Sequence, residues 1–175
     1  MRWPRPVRYD RTGVHQAELW NPDTGVWSTL SANAVNRAYH AVSLLLPNGS
    51  VLHGASGDAT APRETSHEIF LPPYLFKGRR PEIASVPPVV GYGQRFEVQT
   101  SYAGQVTRAT LVRLGSVTHT IDQNTRFLPL PTTSGTAWIT ITAPENPNLA
   151  PPGHYMLFLL NRNGVPSEGK IIQLQ

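Results

Sequence analysis

Short apolar runs separated by proline and glycine turns constrain the fold of this 175-residue chain more than any other feature. Its 17 prolines and 14 glycines divide it into segments rich in Val, Ile, Leu, Thr and Tyr. Proline interrupts helices and central strands, and glycine supplies turn conformations, so the pattern is typical of many short strands. No stretch has the uninterrupted helical periodicity that a bundle requires. The sequence therefore predicts an all-β protein.

The first third of the chain predicts antiparallel hairpins. HQAELWNP and VWSTL flank the turn DTG, while HAVSLLLP and SVLHGA flank the turn NG. Apolar runs on either side of a glycine-containing turn indicate a hairpin, and a four-stranded meander of about 40 residues is the size of one kelch-like β-propeller blade. A single blade cannot bury its own faces. We therefore expect residues 1–60 to form a partial β-propeller, whose exposed edges favour self-association or packing against missing blades.

The rest of the chain predicts a connector and a second domain. Residues 61–80 contain a double proline and are interpreted as an ordered interdomain strap. Residues 81–175 predict an immunoglobulin-like β-sandwich of about seven strands. The strand candidates are EIASV, RFEVQTS, VTRATLVRL, VTHTI, AWITITA, GHYMLFLLN and GKIIQLQ. Tyr155 follows a Pro-Gly turn and precedes an apolar strand, which resembles a tyrosine corner and predicts a structural role.

Composition argues against several classes of function. The net charge of +4 comes from scattered arginines, whereas a nucleic-acid binder concentrates its basic residues on one element. No run is long enough to span a membrane, and no G-x-S-x-G elbow or phosphate-binding glycine loop is present. With no cysteine, disulfides and thiolate ligands are excluded. The spacing of the histidines matches no short metal motif, so each taken alone is interpreted as structural. These residues are His15, His40, His53, His67, His119 and His154.

Four blocks in the same order resemble the galactose oxidase and glyoxal oxidase family of copper radical enzymes. They are NRAYHAVSLLLPNGSVLHGASGD, HEIFLPPYLFKGRRP, LVRLGSVTHTIDQNTRFLPLP and APPGHYMLFLLNRNGVPSEGKII. The resemblance implies a last propeller blade followed by that family's C-terminal early-set (E-set) sandwich. It also implies secretion, although the first ten residues lack the apolar core of a signal peptide, so the compartment stays open.

The resemblance implies a copper site. The Tyr-His pair of R-x-Y-H supplies two ligands, which fall on Tyr39 and His40, and a third ligand falls on His119. Tyr39 would also be the catalytic residue that accepts the proton of the substrate hydroxyl. Imidazole nitrogens are good Cu(II) ligands. Neighbours on a regular strand point to opposite faces, so Tyr39 and His40 can share one metal only if the backbone bends there.

The absence of cysteine predicts that this chain alone is inactive. The family oxidises a small alcohol or aldehyde, reduces dioxygen to hydrogen peroxide, and requires a Tyr-Cys radical cofactor carried on earlier blades. We therefore expect a C-terminal fragment or truncated relative of such an oxidase. The alternative is a carbohydrate-binding or purely structural module, in which exposed aromatic rings would stack on sugars. The candidate rings are Trp3, Trp20, Trp27, Trp138, Tyr92 and Tyr102.

Overall fold

A computed structural model describes residues 13–57 and 63–175. Over these residues the chain forms fifteen strands and two short 3-10 helices. The strands of the first part are β1 (Gln16–Trp20), β2 (Trp27–Ala32), β3 (Val42–Leu45), β4 (Val51–Ser56) and β5 (Glu64–Phe70). Those of the second part are β6 (Val89–Val90), β7 (Arg95–Gln99), β8 (Val106–Arg113), β9 (Val117–Thr118), β10 (Ile121–Asp122), β11 (Phe127–Leu130), β12 (Thr132–Ser134), β13 (Trp138–Thr142), β14 (Gly153–Asn161) and β15 (Lys170–Leu174). The 3-10 helices span Pro73–Phe76 and Ala103–Gln105.

The four strands predicted before residue 57 form, but they do not share one sheet. Strands β1 and β2 pair only with each other, whereas β3, β4 and β5 form a separate antiparallel sheet in that order. The third strand of that sheet, Glu64–Phe70, comes from the segment interpreted as a strap. The linker between β2 and β3 separates the two hairpins. The predicted four-stranded meander is therefore corrected to a hairpin followed by a three-stranded sheet.

The second part is a sandwich of two sheets around one core. The larger sheet has the order β11-β8-β14-β15-β6, with β6 parallel to β15, and the smaller has the order β12-β13-β7. Fully buried side chains from both sheets, such as Val98, Ile139, Leu111 and Leu157, belong to one apolar cluster. Burial of this many apolar side chains is the main stabilising contribution to such a fold. The expectations of an all-β chain and a C-terminal sandwich are confirmed.

Strand β14 is buried on both faces, which explains why its sequence is almost continuously apolar. Residues 155–159 are all buried, whereas alternation would expose every second side chain. The inner face packs in the sandwich core, while Phe158 on the other face shares an apolar cavity of about 200 Å³ with Leu45 and Tyr74. The first part of the chain therefore covers the outer face of the larger sheet.

Hydrogen bonds join the connector to both parts of the chain. The Tyr74 hydroxyl donates to the Gly49 carbonyl at 2.6 Å, and burial raises the pKa of that phenol. The Arg80 guanidinium donates to the carbonyls of Pro166 and Ser167, both at 2.8 Å. Residues 71–80 are therefore anchored on the β3–β4 turn at one end and on the sandwich at the other.

The sandwich strands agree with the sequence where the pattern is simple. RFEVQ alternates between exposed and buried positions along β7, as predicted. EIASV forms only an isolated bridge, between Ser85 and Gln99, and VTHTI divides into β9 and β10 around a two-residue turn. Across residues 13–57 and 63–175, no helix has the length and apolarity needed to cross a membrane.

Candidate metal centre

The backbone bends at the Tyr39–His40 pair, as the sequence predicts for adjacent residues that face one site. The pair lies in a turn that precedes β3, and His40 has a φ of 64°. This left-handed conformation is uncommon for any residue other than glycine. The bend places the Tyr39 and His40 rings on the same side, stacked with centroids 3.9 Å apart and an interplanar angle of 30°.

A tight hairpin presents His119. Strands β9 and β10 pair Thr118 with Ile121, so His119 and Thr120 are the two central residues of the turn. Their φ values are 53° and 66°, which corresponds to the type I′ turn that usually carries Asn and Gly. Gly115, just before β9, lies so close to Leu44 that a Cβ there would come within 2.6 Å of Leu44 Cδ1. This close approach sets the hairpin beside β3 and brings His119 to the Tyr39–His40 bend.

The three side chains that the sequence proposed as ligands converge in space. The ring centroids of His40 and His119 are 4.4 Å apart, and those of Tyr39 and His119 are 5.8 Å apart. The two imidazoles meet edge to face, at 77°. Tyr39 and His119 are exposed, so solvent reaches the cluster. Among the described residues there is no group of three or more His, Cys, Asp or Glu side chains placed to hold a metal ion. The cluster of Tyr39, His40 and His119 has two imidazoles, and its third potential ligand is the phenol of Tyr39.

Hydrogen bonding leaves one nitrogen of His40 free. Its Nδ1 lies 3.0 Å from the Gly57 carbonyl, which can only accept, so Nδ1 carries the proton and Nε2 keeps its lone pair. Nδ1 of His119 is 2.7 Å from the Thr118 hydroxyl, which can donate or accept, and Nε2 has a lone pair for a metal when the hydroxyl accepts. Metal-binding histidines commonly use one ring nitrogen for the metal and the other for such a bond. The donor set therefore fits a copper ion bound by two imidazoles and a phenol oxygen.

Backbone strain is concentrated at and beside this cluster. Across the described ranges, four residues other than glycine have positive φ, and they are His40, Ala55, His119 and Thr120. Each such conformation costs on the order of 1–3 kcal/mol and persists only where its surroundings impose it. Three of the four form the two turns of the cluster, and Ala55 lies in the strand whose end bonds to His40. Strain of this kind is characteristic of functional sites.

Sequence reasoning missed the residues that support the ligands. The Ala38 amide donates to Ser56 Oγ at 2.8 Å, and the Gly57 amide donates to the Tyr39 carbonyl at 2.6 Å. Arg37 has a completely buried side chain that contacts β5. The sequence offered one signal for them, which is Arg37, the first residue of R-x-Y-H. A buried arginine needs charged or hydrogen-bonding partners, and these partners define its position in the fold.

The remaining histidines lie outside the cluster. Nδ1 of His15 is 3.1 Å from the Asn33 carbonyl, and Nδ1 of His53 is 2.9 Å from Ser43 Oγ. His67 and His154 lie on exposed positions of β5 and β14. Their structural interpretation is consistent with these positions.

The proposed sugar-stacking rings do not form one exposed set. Tyr102 is buried and the Tyr92 hydroxyl donates to Ala150 O at 2.7 Å, whereas Trp3 lies outside the described residues. Trp138 is exposed on β13 of the sandwich. Trp20 and Trp27 are exposed on the β1–β2 hairpin, with ring centroids 6.4 Å apart.

The galactose oxidase-like early set domain matches residues 80–174, which is more than half of the chain. The chain belongs to this family. The match covers the sandwich, and the first part of the chain has relatives as well. A galactose oxidase from Gibberella zeae is 34% identical over 178 residues, covering 94% of this chain and 25% of that protein. The aldehyde oxidase GLOX from Vitis pseudoreticulata is 36% identical over 165 residues, covering 83% of this chain and 31% of that protein.

A solved structure extends the similarity to three dimensions. A fungal alcohol oxidase of the AA5 family, in complex with copper, matches with a TM-score of 0.86 and 28% sequence identity. The match covers 93% of this chain and 36% of that one. The resemblance to galactose and glyoxal oxidases is therefore confirmed for this early set domain protein. The chain spans only about a quarter to a third of the length of the two curated relatives.

Proposed function

We propose that this chain supplies part of the copper site of a copper radical oxidase. The observation that carries the proposal is the convergence of Tyr39, His40 and His119 at two strained turns, with the rings 3.9–5.8 Å apart. Two separate parts of the fold contribute the ligands, one before β3 and one from the β9–β10 hairpin. Their donor atoms would be the Tyr39 hydroxyl oxygen and the Nε2 atoms of the two histidines.

Each residue of the cluster has a distinct chemical part in this proposal. Copper, when bound, supplies a one-electron redox centre and favours the deprotonated phenol. The Gly57 carbonyl keeps the proton of His40 on Nδ1 and so directs Nε2 to the metal. Tyr39, whose exposed fraction is 47%, would accept the hydroxyl proton of a small alcohol at its phenol oxygen.

Cu(II) titration with electron paramagnetic resonance tests this assignment. We expect one bound ion with nitrogen coupling, and at least a tenfold loss of affinity in each of His40→Ala and His119→Ala. The matched control is His154→Ala, which removes an exposed imidazole from β14 outside the cluster. A copper spectrum that is identical in wild type and in both cluster variants would refute the assignment.

We also propose that the isolated chain does not oxidise alcohols or aldehydes. Support comes from the absence of cysteine, because the radical cofactor of the family needs a Tyr-Cys cross-link. The measurement is hydrogen peroxide production by the copper-loaded chain with galactose, glyoxal or a small alcohol. Metal-dependent peroxide production by the pure chain would overturn this part of the proposal.

The exposed apolar face of the β1–β2 hairpin supports the proposal that this chain is part of a larger assembly. Trp20 and Trp27, which pair across the two strands, are 50% and 63% exposed on one face. Leu19, on the opposite face of β1, is exposed as well. Apolar surface of this kind marks a contact with another protein surface. We propose that further propeller blades of the same protein cover it in a full-length oxidase.

Light scattering after size-exclusion chromatography tests whether that face is unpartnered. Without blades to cover the hairpin, we expect concentration-dependent self-association that Trp27→Ser reduces. A strictly monomeric wild-type chain at high concentration would count against the proposal. Retardation in carbohydrate-containing gels, lost in Trp27→Ser, would instead favour the sugar-binding alternative.

A further inference from the structure

Arg37 is a buried cation two residues before Tyr39. Its side chain is completely buried and forms an ion pair with Glu68, with 3.3 Å between Nη2 and Oε2. Nη1 donates to the Ser66 carbonyl and Nη2 to the Ser66 hydroxyl, both at 2.9 Å. Glu68 also accepts the Ala34 amide at 2.7 Å, and this bond, with Arg37 as a further contributor, lowers the pKa of the carboxyl. The guanidinium therefore fastens the β2–β3 linker to strand β5.

The same guanidinium reaches the irregular point of β4. The pairing of β4 with β5 shifts register between Gly54 and Ser56, where two residues of β5, Thr65 and Ser66, lie opposite the single residue Ala55. Ala55 has a φ of 57°. Arg37 Nη1 donates to the Ala55 carbonyl at 3.4 Å. A β-bulge disrupts the ladder locally, and the left-handed backbone of Ala55 changes the direction of β4 at the same point.

The two residues that follow Ala55 contact the ligand pair. Ser56 Oγ accepts the Ala38 amide, and Gly57 both donates to the Tyr39 carbonyl and accepts from His40 Nδ1. Gly57 has a φ of 97°, which favours glycine at this position. Arg37 thus binds the bulge on one side, and the next two residues bind Tyr39 and His40 on the other.

We propose that Arg37 is a positioning residue that, by holding Ala55 and the bulge opposite it, fixes His40 as its Nδ1–H tautomer. The effect of Arg37 on copper affinity rests on the proposed function, since the lone pair of His40 Nε2 matters only if a metal binds there. The effect on the tautomer does not depend on copper.

The burial of Arg37 distinguishes this role from simple attachment of the linker to the sheet. A buried charged side chain is costly unless paired, and Nε of Arg37 has no hydrogen-bond partner among the described residues. An apolar side chain could join the linker to the sheet without that cost. The forked guanidinium is the group that can bind carbonyls on β4 and β5 together.

Nitrogen NMR of the imidazoles in the metal-free protein tests the proposal directly. The spectrum is recorded at about pH 8.5, above the ordinary pKa of a histidine side chain of about 6.5, and reports the tautomer of each neutral ring. We expect His40 to be the Nδ1–H tautomer in wild type and a mixture of both tautomers in Arg37→Met. In the copper titration, Arg37→Met should weaken binding by about tenfold to a hundredfold, which is typical when a ligand loses its supporting bond.

Arg80→Met is the matched control. Arg80 also joins distant segments through two backbone carbonyls, at Pro166 and Ser167, but it contacts neither Tyr39 nor His40. We expect this variant to lose stability and to keep the wild-type tautomer and copper affinity. A tautomer shift of the same size in Arg80→Met would show a general folding effect and overturn the proposal.

A second variant keeps the test decisive if Arg37→Met does not fold. Arg37→Lys retains the charge but cannot hold both strands with a fork, and we expect a smaller shift in the same direction. A wild-type His40 tautomer in either folded Arg37 variant would overturn the proposal. If wild type binds no copper at His40, the proposed function fails, while the tautomer comparison still decides the role of Arg37.

Discussion

Tyr155→Phe removes one hydroxyl from the sandwich while keeping the ring that fills the core. The Tyr155 side chain is fully buried, and its hydroxyl donates to the Pro151 carbonyl, four residues earlier, at 2.6 Å. Since the ring stays, the change creates no cavity of consequence. The loss is one hydrogen bond, worth about 1 kcal/mol net, and up to about 2 kcal/mol if the half-buried Pro151 carbonyl remains poorly hydrated.

Urea denaturation measures this loss. A change of about 1–2 kcal/mol with an m-value near 2 kcal/mol/M lowers the midpoint by about 0.5–1 M. Tyr92→Phe is the matched control, because its hydroxyl donates to the neighbouring Ala150 carbonyl at 2.7 Å from a half-buried ring, and we expect the smaller end of that range. Neither variant should alter the copper spectrum.

Two results would refute the reasoning on Tyr155. A loss below about 0.3 kcal/mol would show that the hydroxyl contributes little beyond its bond to water in the unfolded chain. A changed copper spectrum would show that this tyrosine affects the metal centre, contrary to the structural role predicted from the sequence.

Three further predictions concern pH, backbone conformation and metal linkage. Burial raises the pKa of Tyr155 and of Tyr74, so the fold favours the protonated phenols. The contribution of these phenols to the free energy of unfolding should be complete below the unfolded-state pKa of about 10 and should fall as pH rises through the higher folded-state values. Urea midpoints measured against pH would show this fall, and it should be shallower in Tyr155→Phe. Gly49→Ala should lower the free energy of unfolding by about 1–2 kcal/mol, since Gly49 has a φ of 81° and a Cβ there would lie 3.2 Å from Leu75 Cδ2. The control is Gly104→Ala, where a Cβ would meet open space, and equal losses in the two variants would contradict this expectation. Copper at a hundred times its dissociation constant should stabilise the fold by about 2.7 kcal/mol in thermal or urea unfolding, and an undiminished gain in His119→Ala would contradict the site.

Local pattern was sufficient for the regular parts of the sandwich. Strand β7 alternates as its sequence RFEVQ predicts, because the period of two in side-chain direction is a property of the strand itself. The tyrosine corner at Tyr155 could likewise be predicted from the Pro-Gly turn before it. For the candidate site, Tyr39, His40 and His119 came from the family resemblance, since their spacing matches no metal motif.

Long-range packing decided the rest. Nothing in the sequence near His119 shows that Gly115 packs against Leu44, yet that contact brings residues 39 and 119 together. The separation of β1–β2 from the β3–β5 sheet also depends on partners distant in the chain. By itself the sequence determined the all-β class, the regular strands of the sandwich such as β7 and the hairpin turns, because these follow from the conformational preferences of neighbouring residues. Only the tertiary structure decided how the two ligand-bearing turns meet and how Arg37 supports one of them, because contacts between distant segments have no local signature.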